Sequence, residues 1–172
     1  DRPVCQDVSF TLNQGDRLAL NGGNGSGKSS ILKLITGENI TFTGNTYLGS
    51  RLKTSYVPQD ASFLAGSLRD YAEYLSIDVT LFFTILRKLD FSREQLEKDM
   101  TDFSAGQKKK VLLAGSLCEQ AHLYIWDEPL NFMDVYSRMQ IEELILAHKP
   151  TLLFVEHDRA FCDRIANKSV LL

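Results

Sequence analysis

The chain has 172 residues, 44% of them hydrophobic, and a net charge of −3 at pH 7. These values predict one globular domain and exclude a disordered tail, and the longest basic block, Lys108–Lys110, is too short for an extended nucleic-acid-binding surface. No apolar run reaches the roughly 18 residues that a membrane span needs. Three separated cysteines favour a reducing compartment, which indicates a cytoplasmic protein. The chain starts with Asp-Arg-Pro, without Met or a signal peptide, and we expect it to be part of a longer protein.

Strand and helix signals alternate along the chain. The first half predicts a strand at 17–21, a helix at 29–36 stopped by Gly37, a strand at 53–59 and short helices between 67 and 98. The second half predicts a helix capped by Ser104, a strand at 122–126, a helix at 134–149 capped by Asp134, a strand at 151–156 and a helix at 159–166. This alternation predicts an α/β fold in which a mostly parallel sheet is flanked by helices.

Residues 22–29 follow the pattern GxxxxGK[ST] between a predicted strand and a predicted helix. Glycines allow successive backbone N–H groups to converge on phosphate oxygens, while Lys28 supplies a full positive charge. Ser29 can offer its hydroxyl to Mg²⁺. A glycine-rich turn with a surface lysine is the alternative, but flexibility alone does not require lysine followed by serine. The pattern predicts a nucleotide site made of Gly22, Gly23, Asn24, Gly25, Ser26, Gly27, Lys28, Ser29 and Ser30.

Two carboxylates, Asp127 and Glu128, follow the apolar stretch LYIW. Ligands of parallel sheets bind at the carboxyl ends of the strands, so Asp127 can hold Mg²⁺ and Glu128 can polarise an attacking water. Both residues could instead cap the next helix. The accompanying phosphate loop favours the metal and water roles.

The segment FSAGQ, residues 103–107, is a weak signal by itself, because an ordinary helix cap explains it equally well. A helix start that is small and rich in N–H groups is also an anion site. Two such helix starts in one chain suggest that one of them serves a nucleotide held by another domain.

Together these residues resemble the nucleotide-binding domains of ATP-binding cassette (ABC) proteins. The motifs occur in the family's order: GGNGSGKSS is similar to Walker A, VPQD to the Q-loop, FSAGQ to the signature, LYIWDE to Walker B, PLNFMD to the D-loop and VEHD to the histidine switch. The resemblance implies an ABC-type P-loop NTPase domain over residues 1–172, with a small antiparallel β region and a helical subdomain at roughly 62–102.

The resemblance also implies roles for single residues. The implied catalytic residues are Glu128, His157 and Gln59, and the implied Mg²⁺ contacts are Ser29, Gln59 and Asp127. The residues implied to lie at a dimer interface are Ser104, Ala105, Gly106 and Gln107, which contact the partner's ATP, and Asp134 in the D-loop. Outside the motif order, Gln59 is typical of a turn and His157 of a helix cap. The run Lys108–Lys110 has no such role, and we expect a solvated helix face there.

The surroundings of the motifs resemble the ABC-F branch of the family. Gln59 follows Lys28 by 31 positions, which leaves room for only a compact β region. The D-loop asparagine and the stretch VEHDRAF are similar to the second cassette of antibiotic-resistance ABC-F proteins. Phe103 and Ala105 depart from the signature's usual leucine and second glycine, and we expect the aromatic that stacks on adenine to fall before Asp1.

We therefore expect a Mg²⁺-dependent ATPase domain that is weak in isolation and pairs with a second nucleotide-binding domain, in the same longer chain or in a second copy. By the same resemblance, the longer protein acts on the ribosome and confers antibiotic resistance by ribosome protection. The alternative is the motor domain of an ABC membrane transporter. A P-loop kinase would explain the phosphate loop but gives no role to FSAGQ.

Overall fold

The computed structural model describes residues 4–172 and divides into two units. The first unit contains residues 1–56, 121–128 and 149–172, of which residues 1–3 lie outside the described range. The second unit contains residues 57–120 and 129–148. The chain therefore leaves the first unit twice and returns to it twice.

A five-stranded sheet has the order β2-β3-β4-β1-β5. Its strands are β1 (Arg17–Asn21), β2 (Thr54–Val57), β3 (Leu123–Asp127), β4 (Leu152–Val155) and β5 (Lys168–Leu171). The pairs β1–β4, β1–β5 and β3–β4 are parallel. The alternation of strands and helices in the sequence had predicted this mostly parallel sheet, and the prediction is confirmed.

The helices are α1 (Lys28–Ile35), α2 (Leu68–Tyr74), α3 (Val79–Lys88), α4 (Arg93–Leu96), α5 (Ala105–Cys118), α6 (Val135–His148) and α7 (Arg159–Ile165), with a 3₁₀ turn at Met100–Asp102. Polar side chains cap six of these helices by accepting a backbone N–H: Ser67, Asp78, Ser92, Ser104, Asp134 and Asp158. Each such cap typically stabilises a helix by about 1 kcal/mol. These caps explain why the predicted and observed helix starts agree closely.

The core of the first unit lies between α1 and the sheet. Leu32 of α1 is fully buried against aliphatic residues of the strands: Leu18, Leu20, Leu123, Ile125, Leu153 and Val155. Trp126 and Phe154 are also completely buried, and the ring of Phe154 meets that of Phe161 edge to face at 5.5 Å. Burial of this apolar surface fixes the strands that carry the candidate site.

Two parts of the sheet differ from expectation. The strand β5, which pairs with β1, was not predicted, because KSVL is short and its residues are mostly exposed. The antiparallel β region expected between α1 and β2 is not formed, since residues 36–53 contain no strand. Phe42, Tyr47 and Leu48 are exposed in that interval, and an isolated two-stranded ribbon without a buried face is only marginally stable.

The three cysteines, Cys5, Cys118 and Cys162, are free. Within residues 4–172, none of the helices has the length and apolar character required to cross a bilayer.

We predict that Phe154→Ala lowers the free energy of unfolding by about 3–5 kcal/mol, because it opens a cavity between β4 and α7. The matched control is Phe63→Ala, since Phe63 is exposed, and it should change stability by less than about 0.5 kcal/mol. Urea unfolding followed by circular dichroism measures both. If both variants unfold at the same midpoint urea concentration, the assignment of Phe154 to the core is contradicted.

Candidate nucleotide-binding site

The phosphate loop, residues 22–29, joins the end of β1 to the start of α1. Gly22 has φ +152°, and a Cβ at this position would lie 2.6 Å from Ser26 Oγ and 3.0 Å from the carbonyl oxygen of Leu172. No side chain fits there, so glycine is required for the loop to fold back on itself. The first N–H groups of α1 have no acceptor within the helix and face the loop, as an anion site needs.

Lys28 begins α1 and is only 7% exposed. Its Nζ donates hydrogen bonds to the carbonyl oxygens of Gly22 at 2.9 Å and Gly23 at 2.8 Å. The ammonium group is thus held inside the loop rather than extended into solvent. Ser26 Oγ is buried as well and makes no hydrogen bond within residues 4–172, so a polar atom of the loop remains available to a ligand.

Asp127 is the last residue of β3 and is 2% exposed, directly after the completely buried Ile125 and Trp126. A carboxylate at such a position has to be compensated by donors or by a cation. Its charge is felt at Tyr56, whose pKa is raised to about 12 by burial first and then by the negative charges of Asp127 and Glu38. The end of β3 therefore places a buried carboxylate in an otherwise apolar layer.

Glu128 follows β3 in a left-handed conformation, with φ +47°. This conformation is strained for a residue other than glycine, and such strain is concentrated at functional sites. The Glu128 N–H donates to the carbonyl oxygen of Val155 at 2.9 Å, which fixes the turn to the neighbouring strand β4. Glu128 Oε1 lies 3.4 Å from His157 Nε2, and the imidazole is half exposed.

Glu156 is a buried residue that the motif comparison did not single out. Its Oε1 accepts the N–H of His157 at 2.7 Å and that of Asp158 at 3.3 Å, so it holds the turn between β4 and α7. Glu156 and His157 line a cavity of about 580 Å³ together with Gly22 and Lys28. A volume of this size accommodates a small ligand. A glutamate ending an apolar strand next to histidine was the available sequence signal.

The signature segment, residues 103–107, lies in the second unit and starts α5. Ser104 Oγ accepts the Gln107 N–H at 3.2 Å, and the Ser104 N–H donates to Gln107 Oε1 at 2.9 Å. This reciprocal capping box confirms the predicted helix start. Phe103 is buried against Phe91, with ring centroids 5.5 Å apart, whereas Ser104 and Ala105 are exposed.

The signature segment touches the D-loop, residues 129–134, within the second unit. A Cβ at Gly106 would lie only 2.4 Å from the carbonyl oxygen of Phe132. Phe132 itself has φ +63°, so the backbone turns sharply at this contact. Glycine at position 106 is needed because the D-loop backbone occupies the space of a side chain.

The lysine run Lys108–Lys110 is not a solvated helix face, and this prediction was wrong. Lys109 and Lys110 are 2% and 8% exposed, because α5 is buried on more than one side. Lys110 Nζ pairs with Asp134 Oδ2 at 2.7 Å. Burial acts to raise the pKa of Asp134, but hydrogen bonds from Lys110 and from Ser137 outweigh it and hold the pKa below its ordinary value. Asp134 also caps α6, as predicted, by accepting the Ser137 N–H at 2.8 Å.

The predicted site residues fall into two groups. The first unit brings together the phosphate loop, Asp127, Glu128 and His157. The second unit carries Gln59, whose side chain is exposed, together with the signature segment and Asp134.

A family model described as "ABC transporter" matches residues 5–131. "ATP-binding protein Uup" of Buchnera aphidicola subsp. Acyrthosiphon pisum is 33% identical over 96% of the chain, and the match covers 29% of that protein. "Ribosome protection protein VmlR" of Bacillus subtilis is 29% identical over the whole chain, and the match covers 32% of that protein. The chain thus spans about a third of the length of these curated relatives.

Solved structures show the same fold. The dimeric structure of the bacterial ABC transporter cassette MJ0796 superposes with a TM-score of 0.82 and 19% identity, and covers 98% of this chain and 86% of that one. The family model matches well over half of the chain, in the interval that contains the phosphate loop, Glu128 and the signature segment. The chain therefore belongs to the family of ABC ATP-binding domains.

Proposed function

We propose that residues 1–172 form one ATP-hydrolysing cassette domain of an ABC-F protein that acts on the ribosome, with a helical subdomain at roughly 62–102. The observation that carries the proposal is the grouping of Lys28, Asp127, Glu128 and His157 in one unit of the fold. A phosphate-binding cation, a buried carboxylate, a general base and a histidine together meet the needs of phosphoanhydride hydrolysis.

The phosphate loop supports ATP binding. Lys28 Nζ is already directed at the loop interior by its bonds to Gly22 and Gly23. A nucleotide phosphate can replace these two carbonyl oxygens as the acceptor, and an ionised acceptor makes the stronger hydrogen bond. Ser26 Oγ and the N–H groups at the start of α1 supply further donors. The remaining residues of the loop, Asn24, Gly25, Gly27, Ser29 and Ser30, complete the proposed cradle.

The donor set around the phosphate loop fits Mg²⁺. The metal prefers oxygen ligands, and the first unit offers the Ser29 hydroxyl in the first turn of α1 and the Asp127 carboxylate at the end of β3. Gln59 is proposed as a further contact. The ion, when bound, neutralises part of the negative charge on the phosphates. By holding the ion, Asp127 and Ser29 are proposed to orient the phosphates of the nucleotide.

Glu128 is proposed to orient and deprotonate the attacking water. Its strained backbone and its hydrogen bond to Val155 hold the carboxylate at the carboxyl edge of the sheet. His157 lies within 3.4 Å of that carboxylate and can contact the γ-phosphate while restraining Glu128. Glu156 in turn fixes the backbone of His157. Glu128 would take a proton from the water as the water oxygen bonds to the γ-phosphorus, while the bond from that phosphorus to the bridging oxygen breaks and ADP leaves.

The signature segment supports a partner domain. Ser104 and Ala105 are exposed at the start of α5, and the capping box engages the N–H groups of Ser104 and Gln107. The N–H groups of Ala105 and Gly106 are therefore the ones that we propose as a second anion site. Phe132 is exposed beside Gly106, and an exposed apolar row at helical spacing follows it in α6, made of Val135, Tyr136 and Met139. An exposed row of this kind is typical of an interaction surface. We propose that a second nucleotide-binding domain covers it, with Gly106, Gln107 and Asp134 at the interface.

The ribosome is proposed as the larger partner because a relative that matches the whole chain is named a ribosome protection protein. The D-loop PLNFMD and the stretch VEHDRAF favour the same branch of the family. We propose antibiotic resistance by ribosome protection as the biological role, with a cytoplasmic location.

We predict that Lys28→Met weakens ATP binding by roughly tenfold to a hundredfold, because it removes charge-assisted hydrogen bonds while keeping the volume of the buried stem. Lys33→Met on the exposed side of α1 is the matched control and should leave affinity unchanged. Isothermal titration calorimetry measures both. Wild-type affinity in the Lys28 variant would exclude the loop as the phosphate site.

We predict that Glu128→Gln reduces ATP hydrolysis roughly 100- to 10,000-fold, because the amide cannot accept the proton of the attacking water. ATP binding should persist or tighten, since the repulsion between the carboxylate and the γ-phosphate is lost. The control is Glu143→Gln, which alters an exposed carboxylate of α6. Turnover is measured by phosphate release, and wild-type turnover in Glu128→Gln would rule out the proposed base.

The same variant tests the ribosomal role in the protein that carries this sequence. Trapped with ATP, the Glu128→Gln protein should sediment with ribosomes more than the wild type does. A variant that is hydrolytically dead but never sediments with ribosomes would favour the membrane-transporter alternative and leave the catalytic assignment intact.

We predict that the isolated chain is a weak ATPase whose turnover per chain rises with protein concentration, because each site needs the signature segment of another domain. Turnover and light scattering are measured over the same concentration series. A substantial rate from a chain that stays monomeric throughout would contradict the composite site.

A further inference from the structure

Lys109 is only 2% exposed and is the most deeply buried of the three consecutive lysines Lys108–Lys110 in α5. Its Nζ donates to the carbonyl oxygen of Pro58 at 2.7 Å and to that of Gln59 at 3.1 Å. These two acceptors are consecutive backbone groups of the Q-loop, residues 57–60. A buried ammonium group is tolerated only where acceptors compensate its charge, so these bonds are an obligatory part of the packing.

The neighbouring lysines make different contacts. Lys108 is only partly buried, and its Nζ reaches the carbonyl oxygen of Ser62 at 3.3 Å, a longer bond. Lys110 pairs with Asp134 of the D-loop. Consecutive residues of a helix point about 100° apart, so successive lysines of α5 reach different loops. Lys109 serves the Q-loop and Lys110 serves the D-loop.

Both loops are thereby attached to the helix that begins with the signature segment. Lys109 is the fifth residue of α5, a little over one turn after Ala105. A short helical segment is stiff, so a shift of the signature end of α5 carries the Lys109 ammonium group with it. The two carbonyl oxygens are drawn along with it, because separation would break both charge-assisted hydrogen bonds of the buried ammonium group.

We propose that Lys109 is a positioning residue that ties the backbone of Gln59 to the signature helix, so that the state of the signature segment sets the orientation of Gln59. The inference rests on the proposed function, in which Gln59 is a further contact of Mg²⁺. A lysine suits this task because its long stem crosses the packing and its ammonium group presents three donors to two adjacent carbonyls.

The geometry can be tested without nucleotide by hydrogen exchange. The Ser62 N–H bonds to Asp60 Oδ1 at 2.9 Å and the Leu64 N–H to the Ala61 carbonyl oxygen at 3.3 Å, so their exchange reports opening of the segment after Gln59. Lys109→Met keeps the stem and removes the donors, and it should speed exchange at residues 59–64 by roughly tenfold or more. Lys88→Met alters an exposed lysine of α3; it is the control and should leave these rates unchanged.

The consequence for function is tested by calorimetry. The ATP dissociation constant is measured with and without Mg²⁺, and the ratio of the two values gives the factor by which the metal tightens binding. Lys109→Met should reduce this factor to the value of Gln59→Ala and leave metal-free ATP affinity unchanged. The double variant Lys109→Met/Gln59→Ala should lose nothing more, because both changes remove the same contribution. A purely structural role would lower the melting temperature without this non-additivity.

Unchanged exchange at residues 59–64 in Lys109→Met would overturn the inference, and so would full additivity with Gln59→Ala. If Lys109→Met does not fold, Lys109→Gln is measured by the same two criteria, since a neutral amide donates but has a shorter reach. If Mg²⁺ does not affect ATP binding by the wild type, the proposed function fails, and the exchange rates alone then decide whether Lys109 anchors the Q-loop.

Discussion

The parallel register between β3 and β4 is the constraint on which the candidate site depends. Asp127 stands opposite Val155, so the two strands end together and the residues that follow them, Glu128 and His157, come within 3.4 Å. A shift by one residue would turn every side chain of a strand to the opposite face of the sheet. The buried aliphatic and aromatic residues of β3 and β4 prevent such a shift. The positions of Glu128 and His157 at the edge of the sheet are therefore determined by the packing of the buried side chains of β3 and β4.

Buried lysines organise the loops of both units in the same manner. Lys28 closes the phosphate loop on two carbonyl oxygens, and Lys109 closes on two carbonyl oxygens of the Q-loop. A loop lacks the repeating backbone hydrogen bonds of a helix or sheet. In each of these two loops, a lysine ammonium group donates hydrogen bonds to backbone carbonyl oxygens instead. The two proposals assign different uses to this arrangement, since phosphate is proposed to replace the acceptors of Lys28 but not those of Lys109. The same residue type would then serve ligand binding in one unit and loop positioning in the other.

Much of the fold could be predicted from local signals. The strand at 17–21 matches β1 to the residue, and Ser104 and Asp134 cap helices as expected, because capping chemistry is decided by a few adjacent residues. The grouping of the phosphate loop with Asp127 and Glu128 followed from the rule that ligands bind where parallel strands end, whereas His157 was added by the resemblance to ABC domains. Long-range packing was not predictable: β5 exists only because β1 offers it a neighbour, and Lys109 is buried only because α5 is surrounded. The roles proposed for Gln59 and for the signature residues involve a ligand and a partner, so local signals in the sequence do not determine them.

The position of Trp126 has an optical consequence. The chain contains one tryptophan, and it is fully buried one residue before Asp127. When the protein is excited at wavelengths that tyrosine does not absorb, its intrinsic fluorescence therefore comes from a single buried indole next to the proposed metal contact. Rearrangement of the end of β3 would alter the spectrum without any added dye. The protein thus carries its own spectroscopic reporter at the strand where its chemistry is proposed to occur.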